Sequence, residues 1–134
     1  MSIKIMTAGK RKTSVAKIKV QDGDGTVFYN GLSIENLKLF HKLALMEPLR
    51  IYENLFAKMP YDIYIKSIGG GKESQIQAAR LAIARALVGL TKKSELKEAY
   101  LAYDRHMLVA EVRRKDQRKP GDSKARAKRQ KSYR

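Results

Sequence analysis

Cationic side chains are the residues of this chain best placed to do chemistry, and they are unevenly distributed. Residues 1–20 hold six Lys or Arg and no acid, and residues 113–134 hold eleven against two acids. Residues 21–112 hold twelve basic and eleven acidic side chains, so a near-neutral body carries two basic ends. A surface that only had to be soluble would intersperse the signs. This segregation, within a net charge of +16, points to a polyanion met at specific places. Lys and Arg neutralise phosphates and release counterions, and Arg planes also stack on bases. Nucleic acid is the leading partner, ahead of an anionic membrane, because the basic tail has no apolar helical face.

Other chemistries fail residue by residue. Gly69-Gly70-Gly71-Lys72 before a helical pattern suggests a phosphate loop, since N–H groups at a helix start favour anions. A P-loop ending in Gly71-Lys72 needs Gly at 66 and Ser or Thr at 73, where this chain has Lys66 and Glu73. A dinucleotide fingerprint from Gly69 needs its third glycine at 74, which is Ser74. Asp22-Gly23-Asp24-Gly25 could start a calcium loop, but Thr26 and Val27 occupy the positions of the third oxygen ligand and the invariant glycine. Cysteine is absent, and His41 and His106 lack metal-ligand spacing, reading as structural or surface histidines. No catalytic cluster is legible: Asp22, Asp24, Glu73 and Asp104 read as turn or cap residues. No enzyme activity, cofactor or metal is expected. The chain also lacks a hydrophobic signal region and a membrane-length apolar run, which predicts a soluble intracellular protein.

The elements that must position the cations follow from periodicity. Ile3, Ile5 and Thr7 alternate with Lys4 and Met6 as a first strand, and Gly9 to Lys12 reads as a basic turn. Ala16, Ile18 and Val20 form the core face of a second strand whose other face, Lys17 and Lys19, is wet or on phosphate. Asp22 to Gly25 reads as a hairpin turn, Thr26 to Tyr29 as a third strand and Asn30-Gly31 as its closing turn. Ser33 reads as the N-cap of a helix carrying Ile34, Leu37, Phe40 and Leu43, with a break at Glu47-Pro48 and a second helix running to Pro60. Tyr61, Ile63 and Ile65 mark a fourth strand entering the triple glycine. A central helix follows, with Ile76, Ala79, Ile83, Ala86 and Leu87 on one face and alanines keeping the others small enough for a sheet to approach. Ser94, Glu95 and Glu98 begin a last helix. This predicts one mixed α/β domain of the α+β type with a largely antiparallel sheet over residues 1–112.

From Arg113 the chain holds few apolar residues, so residues 113–134 read as an extended basic tail, disordered without RNA. Its 22 residues could reach on the order of 70 Å fully extended, with one bend at Pro120-Gly121. The candidate RNA contacts are Lys10, Arg11, Lys12, Lys17, Lys19 and Lys72 in the body. In the tail they are Arg113, Arg114, Lys115, Arg118, Lys119, Lys124, Arg126, Lys128 and Arg129, then the terminal cations Lys131 and Arg134. A free RNA chaperone or an architectural DNA binder would use the same charges.

Several motifs, in order, resemble the small-subunit ribosomal protein nine family. These are Gly9-Lys10-Arg11-Lys12-Thr13 with Ala16, Asn30-Gly31, Glu47-Pro48, the Gly69-Gly70-Gly71 and Ser74-Gln75 helix start with Arg85-Ala86-Leu87, and Tyr103-Asp104-Arg105. Ala125-Arg126-Ala127 and the terminal Gln130-Lys131-Ser132-Tyr133-Arg134 resemble its archaeal and eukaryotic branch. Val112, where that branch has Pro, and Asp122, where a second glycine is common, depart from the pattern. The resemblance implies the fold named after the second domain of ribosomal protein five, with a left-handed crossover. It also implies a place in the cytoplasmic ribosome, in the small-subunit head beside neighbouring head proteins, with the body and most of the tail on the 3′ major domain of ribosomal RNA. The tail end is implied to approach the anticodon stem-loop of peptidyl-site tRNA, with Arg134 on a tRNA phosphate and Lys131 and Tyr133 near it.

Overall fold

The computed structural model describes residues 2–122 and 124–133. Strands β1 (Ile3–Arg11) and β2 (Ser14–Asp22) form a hairpin, followed by the short strands β3 (Val27–Tyr29) and β4 (Leu32–Ser33). After a 3-10 turn at Ile34–Asn36 come α1 (Leu39–Leu55), β5 (Tyr61–Ile68), α2 (Lys72–Thr91) and α3 (Ser94–Tyr103), then a second 3-10 turn at Arg105–Met107. The sheet order is β1-β2-β5-β3-β4, antiparallel except between β3 and β5. It is a mixed sheet with helices packed on one face, the expected α+β class.

The alternation of β2 and β5 decides which face is covered. Ala16, Ile18 and Val20 of β2 and Ile63 and Ile65 of β5 are buried, facing the helices. Ile76, Ala79, Ile83, Ala86 and Leu87 of α2 complete this core, and α1 and α3 pack beside α2. The small residues allow α2 to lie almost on β1. A Cβ at Gly9 would stand 2.2 Å from the Ala78 carbonyl oxygen and 2.8 Å from the Ala82 nitrogen. The Thr7 hydroxyl donates to the Ala82 carbonyl at 3.1 Å across the same contact. The turn into α2 needs its glycines, since Gly69 and Gly70 have φ of 76° and 59° and press on Thr13 and Ser14 of the β1–β2 turn.

Several local expectations are overturned by tertiary partners. Gly9 to Arg11 are strand rather than turn, because their register with β2 continues to Arg11↔Ser14, leaving only Lys12 and Thr13 to turn. Asp22 to Gly25 is no hairpin: β5 lies between β2 and β3, and the loop is held by Asp62 Oδ1, which accepts from the N–H groups of Asp24, Gly25 and Thr26. Ser33 belongs to β4 and caps the 3-10 turn, and α1 starts only at Leu39. Pro48 does not break α1. It is buried within the helix, and its carbonyl accepts the Tyr100 hydroxyl at 2.7 Å, so packing outweighs the lost helical hydrogen bond. The helix stops at Leu55, with Phe56 as its C-cap, before Pro60. Asn30-Gly31 does close a hairpin, between β3 and β4, with both residues at positive φ.

Candidate nucleic-acid interface

The two basic ends of the sequence meet at the tip of the β1–β2 hairpin. Lys12 takes φ of 53° in the two-residue turn, which leaves it exposed at the extreme of the hairpin. Beside it the chain emerging from the body brings Arg113, Arg114 and Lys115, and these line a cleft of about 510 Å³ together with Lys12 and Thr13. Of these four cations only Arg113 has a carboxylate partner, Glu111, so among the described residues Lys12, Arg114 and Lys115 leave the cleft with positive charge that no acid neutralises. That excess of positive charge favours an anion over a neutral group in the cleft.

The root of the tail is fixed by side chains from the core elements. Arg85 of α2 donates from Nε to the Leu108 carbonyl at 3.1 Å and from Nη1 to the Ala8 carbonyl at 3.2 Å, tying the tail exit to β1. Glu111 bridges Arg11 and Arg113 by ion pairs. Hydrogen bonding from Arg113 is the main cause that holds the Glu111 carboxyl below the ordinary glutamate value, outweighing desolvation, and the charge of Arg11 adds to it. Arg11 is thus half-buried and structural in part, whereas Lys10 and Lys12 are exposed.

A second ionic cluster stiffens the body behind this cleft. Arg80 of α2 is 9% exposed, and it donates from Nε to Glu47 at 2.7 Å while Nη1 reaches Asp104 at 3.3 Å. Burial by itself would raise the Asp104 carboxyl, but the His106 N–H and the Arg80 guanidinium hold it below the usual aspartate value. Burial pushes the Tyr100 phenol upward, in keeping with a hydroxyl that donates to Pro48 and stays neutral.

The other candidates divide into separate surfaces. Lys17 and Lys19 lie exposed on the outward face of β2. Lys72 opens α2 and lines a cavity of about 310 Å³ with His41 and Lys38, where His41 Nε2 contacts Glu73 at 2.7 Å. Arg118, Lys119, Lys124, Arg126, Lys128 and Arg129 lie in a tail without helix or strand among its described residues, turning at Pro120-Gly121. There Arg129 donates from Nε to the Gly121 carbonyl at 2.8 Å, and Arg126 lies 3.5 Å from Asp116. Lys131 and Tyr133 are exposed, and Arg134 lies outside the described residues.

Sequence reasoning missed Arg80, Arg85 and Glu111, and it missed Lys66, which stands on the same outward face as Lys17 and Lys19. Only Lys66 left a signal, in its alternation with Ile63 and Ile65. Among the described residues, no helix is long and apolar enough to cross a membrane, and no group of three or more His, Asp or Glu side chains is placed to hold a metal ion.

Comparison with known proteins places these features in a family. The family described as ribosomal protein S9/S16 matches residues 9–134. A relative from Methanococcus vannielii, named small ribosomal subunit protein uS9, is 39% identical over 133 residues, covering 97% of this chain and 98% of its own length. A protein of the same name from Methanococcus maripaludis strain C7 is 41% identical with the same coverage. With the match spanning the hairpin, the central helix and the tail alike, this chain belongs to the ribosomal protein S9/S16 family.

Proposed function

We propose that this protein is a non-catalytic structural constituent of the small subunit of the cytoplasmic ribosome. In this reading the globular part, residues 1–112, binds ribosomal RNA of the 3′ major domain in the head, beside neighbouring head proteins. The tail, residues 113–134, runs on along RNA toward the anticodon stem-loop of peptidyl-site tRNA. The observation that carries the reading is the basic cleft at the hairpin tip, where Lys12 meets Arg113, Arg114 and Lys115. It makes one anion-binding surface from both charged ends of the chain and directs the tail away from a fixed root. Each cation near a phosphate lowers the repulsion between RNA segments and releases counterions.

Lys10, Arg11, Lys12, Lys17, Lys19, Lys72 and the tail cations through Arg129 act on ribosomal RNA, and Lys131, Tyr133 and Arg134 act on tRNA. Small subunits rebuilt with a chain lacking Arg134 should assemble normally and lose peptidyl-site tRNA faster than the wild type. Unchanged tRNA retention would contradict the tRNA role. Failure of the full-length chain to enter small subunits would contradict the ribosomal one.

A further inference from the structure

The helices cover the inward face of β1, β2 and β5, while no described element covers the outward face. Strand register sets Lys17 directly opposite Lys66 and Lys19 directly opposite Tyr64, with Lys10 opposite Val15 at the hairpin end. All four lysines are exposed. Among the described residues none of them pairs with a carboxylate. The acid that shares this side of β5, Asp62, turns its Oδ1 to three N–H groups of the β2–β3 loop. Like charges directly opposite on a sheet repel, so a face that only had to be wet would pair Lys17 with an acid or a neutral residue. Beside the lysines, Tyr64 stacks on Phe28 with ring centroids 5.1 Å apart and planes within 8°.

We propose that this open sheet face is a second RNA contact, independent of the hairpin cleft. Lys17 and Lys66 straddle a backbone phosphate, Lys10 and Lys19 hold flanking phosphates, and Tyr64, stiffened by Phe28, meets a base. An acidic protein segment would satisfy the lysines alone. The aromatic pair next to them favours nucleic acid, because bases stack on aromatic faces. The inference rests on the reading that RNA is the partner, and it adds Lys66, Tyr64 and Phe28 to the surface that meets it.

The test compares full-length chains carrying Lys66→Glu or Lys97→Glu with the wild type and with a chain truncated after Val112. Each is bound to a transcript of the small-subunit 3′ major domain across a potassium chloride series. Lys66→Glu sets a carboxylate against Lys17, so the unbound protein should melt at a higher temperature. Its slope of log affinity against log salt should fall by roughly 1 to 2, the loss of one or two phosphate contacts. Lys97→Glu, on the exposed side of α3, should leave the slope unchanged. Equal loss from both substitutions would reduce the effect to overall charge and overturn the proposal. An unchanged slope for Lys66→Glu, with a reduced slope for the truncated chain, would overturn the sheet-face contact and leave the RNA reading standing. The sheet-face contact would likewise fall if Lys66→Glu kept its slope but lost a neighbouring protein in rebuilt subunits. No salt-dependent binding by the wild type would overturn both readings.

Discussion

Gly9→Ala should destabilise this protein although it adds a single methyl group to an ordinary strand backbone. Gly9 has no positive φ, so alanine can adopt its conformation, and the narrower unfolded ensemble would favour alanine by roughly 0.4–1 kcal/mol. Opposing this, the new Cβ would stand 2.2 Å from the Ala78 oxygen and 2.8 Å from the Ala82 nitrogen. Both are main-chain atoms of the central helix, so no flexible side chain can swing away. Carbon contacts are optimal near about 3.5–4.0 Å, so α2 has to move off β1, and overpacking of this kind costs about 1–3 kcal/mol. A 2.2 Å approach to the main chain falls in the upper part of that range, about 2–3 kcal/mol, so the net loss is about 1–2.6 kcal/mol, which for a domain of this size lowers Tm by roughly 4–10 °C. Gly71→Ala is the control, since a Cβ there meets nothing within 4 Å at φ of −97°, and the preference for Gly over Ala at this N-cap of α2 roughly offsets the gain from the narrower unfolded ensemble. Thermal unfolding followed by far-UV circular dichroism would compare the two. A Gly9→Ala Tm equal to or above the wild type would refute the close approach of β1 and α2.

Other expectations concern the polar supports. Arg80→Met strands Glu47 and Asp104, both 37% exposed, so hydration softens the penalty to roughly 1–3 kcal/mol, measured by urea unfolding at neutral pH. Asp104 has its pKa lowered in the fold, so its contribution is complete above the unfolded aspartate value and is lost as pH falls through the lower folded value. Asp104→Asn should therefore be less stable than wild type at neutral pH and close to it in strong acid, and a constant gap in urea midpoints across that range would count against the pairing. Asp62→Ala removes the acceptor of three loop N–H groups and should cost about 1–3 kcal/mol by the same urea measurement, with faster amide exchange at Asp24 to Thr26.

Periodicity made the two faces of the sheet legible, because Ala16, Ile18 and Val20, or Ile63 and Ile65, carry their burial in their spacing. Strand order was not legible. The glycines and aspartates of residues 22–25 signal a turn but not its partner, and β5, which separates β2 from β3, arrives some forty residues later. Pro48 reads as a break on local grounds, yet the Tyr100 hydroxyl that meets its carbonyl is 52 residues away. Of the candidate site, the charges were plain and their grouping was not. Arg11 looks as free as Lys10 until Glu111 is beside it, and nothing near Arg80 in sequence reveals Glu47 and Asp104. The meeting of Lys12 with Arg113 to Lys115 likewise depends on where α3 and the second 3-10 turn deliver the tail.

The most direct test of the central claim is a crosslinking map of this protein within purified small subunits, comparing the full chain with one truncated after Val112. Crosslinks from the hairpin to head ribosomal RNA are expected in both, and crosslinks to peptidyl-site tRNA only with the tail present. Absence of the full chain from the subunit, with equal binding to arbitrary RNA, would contradict that claim.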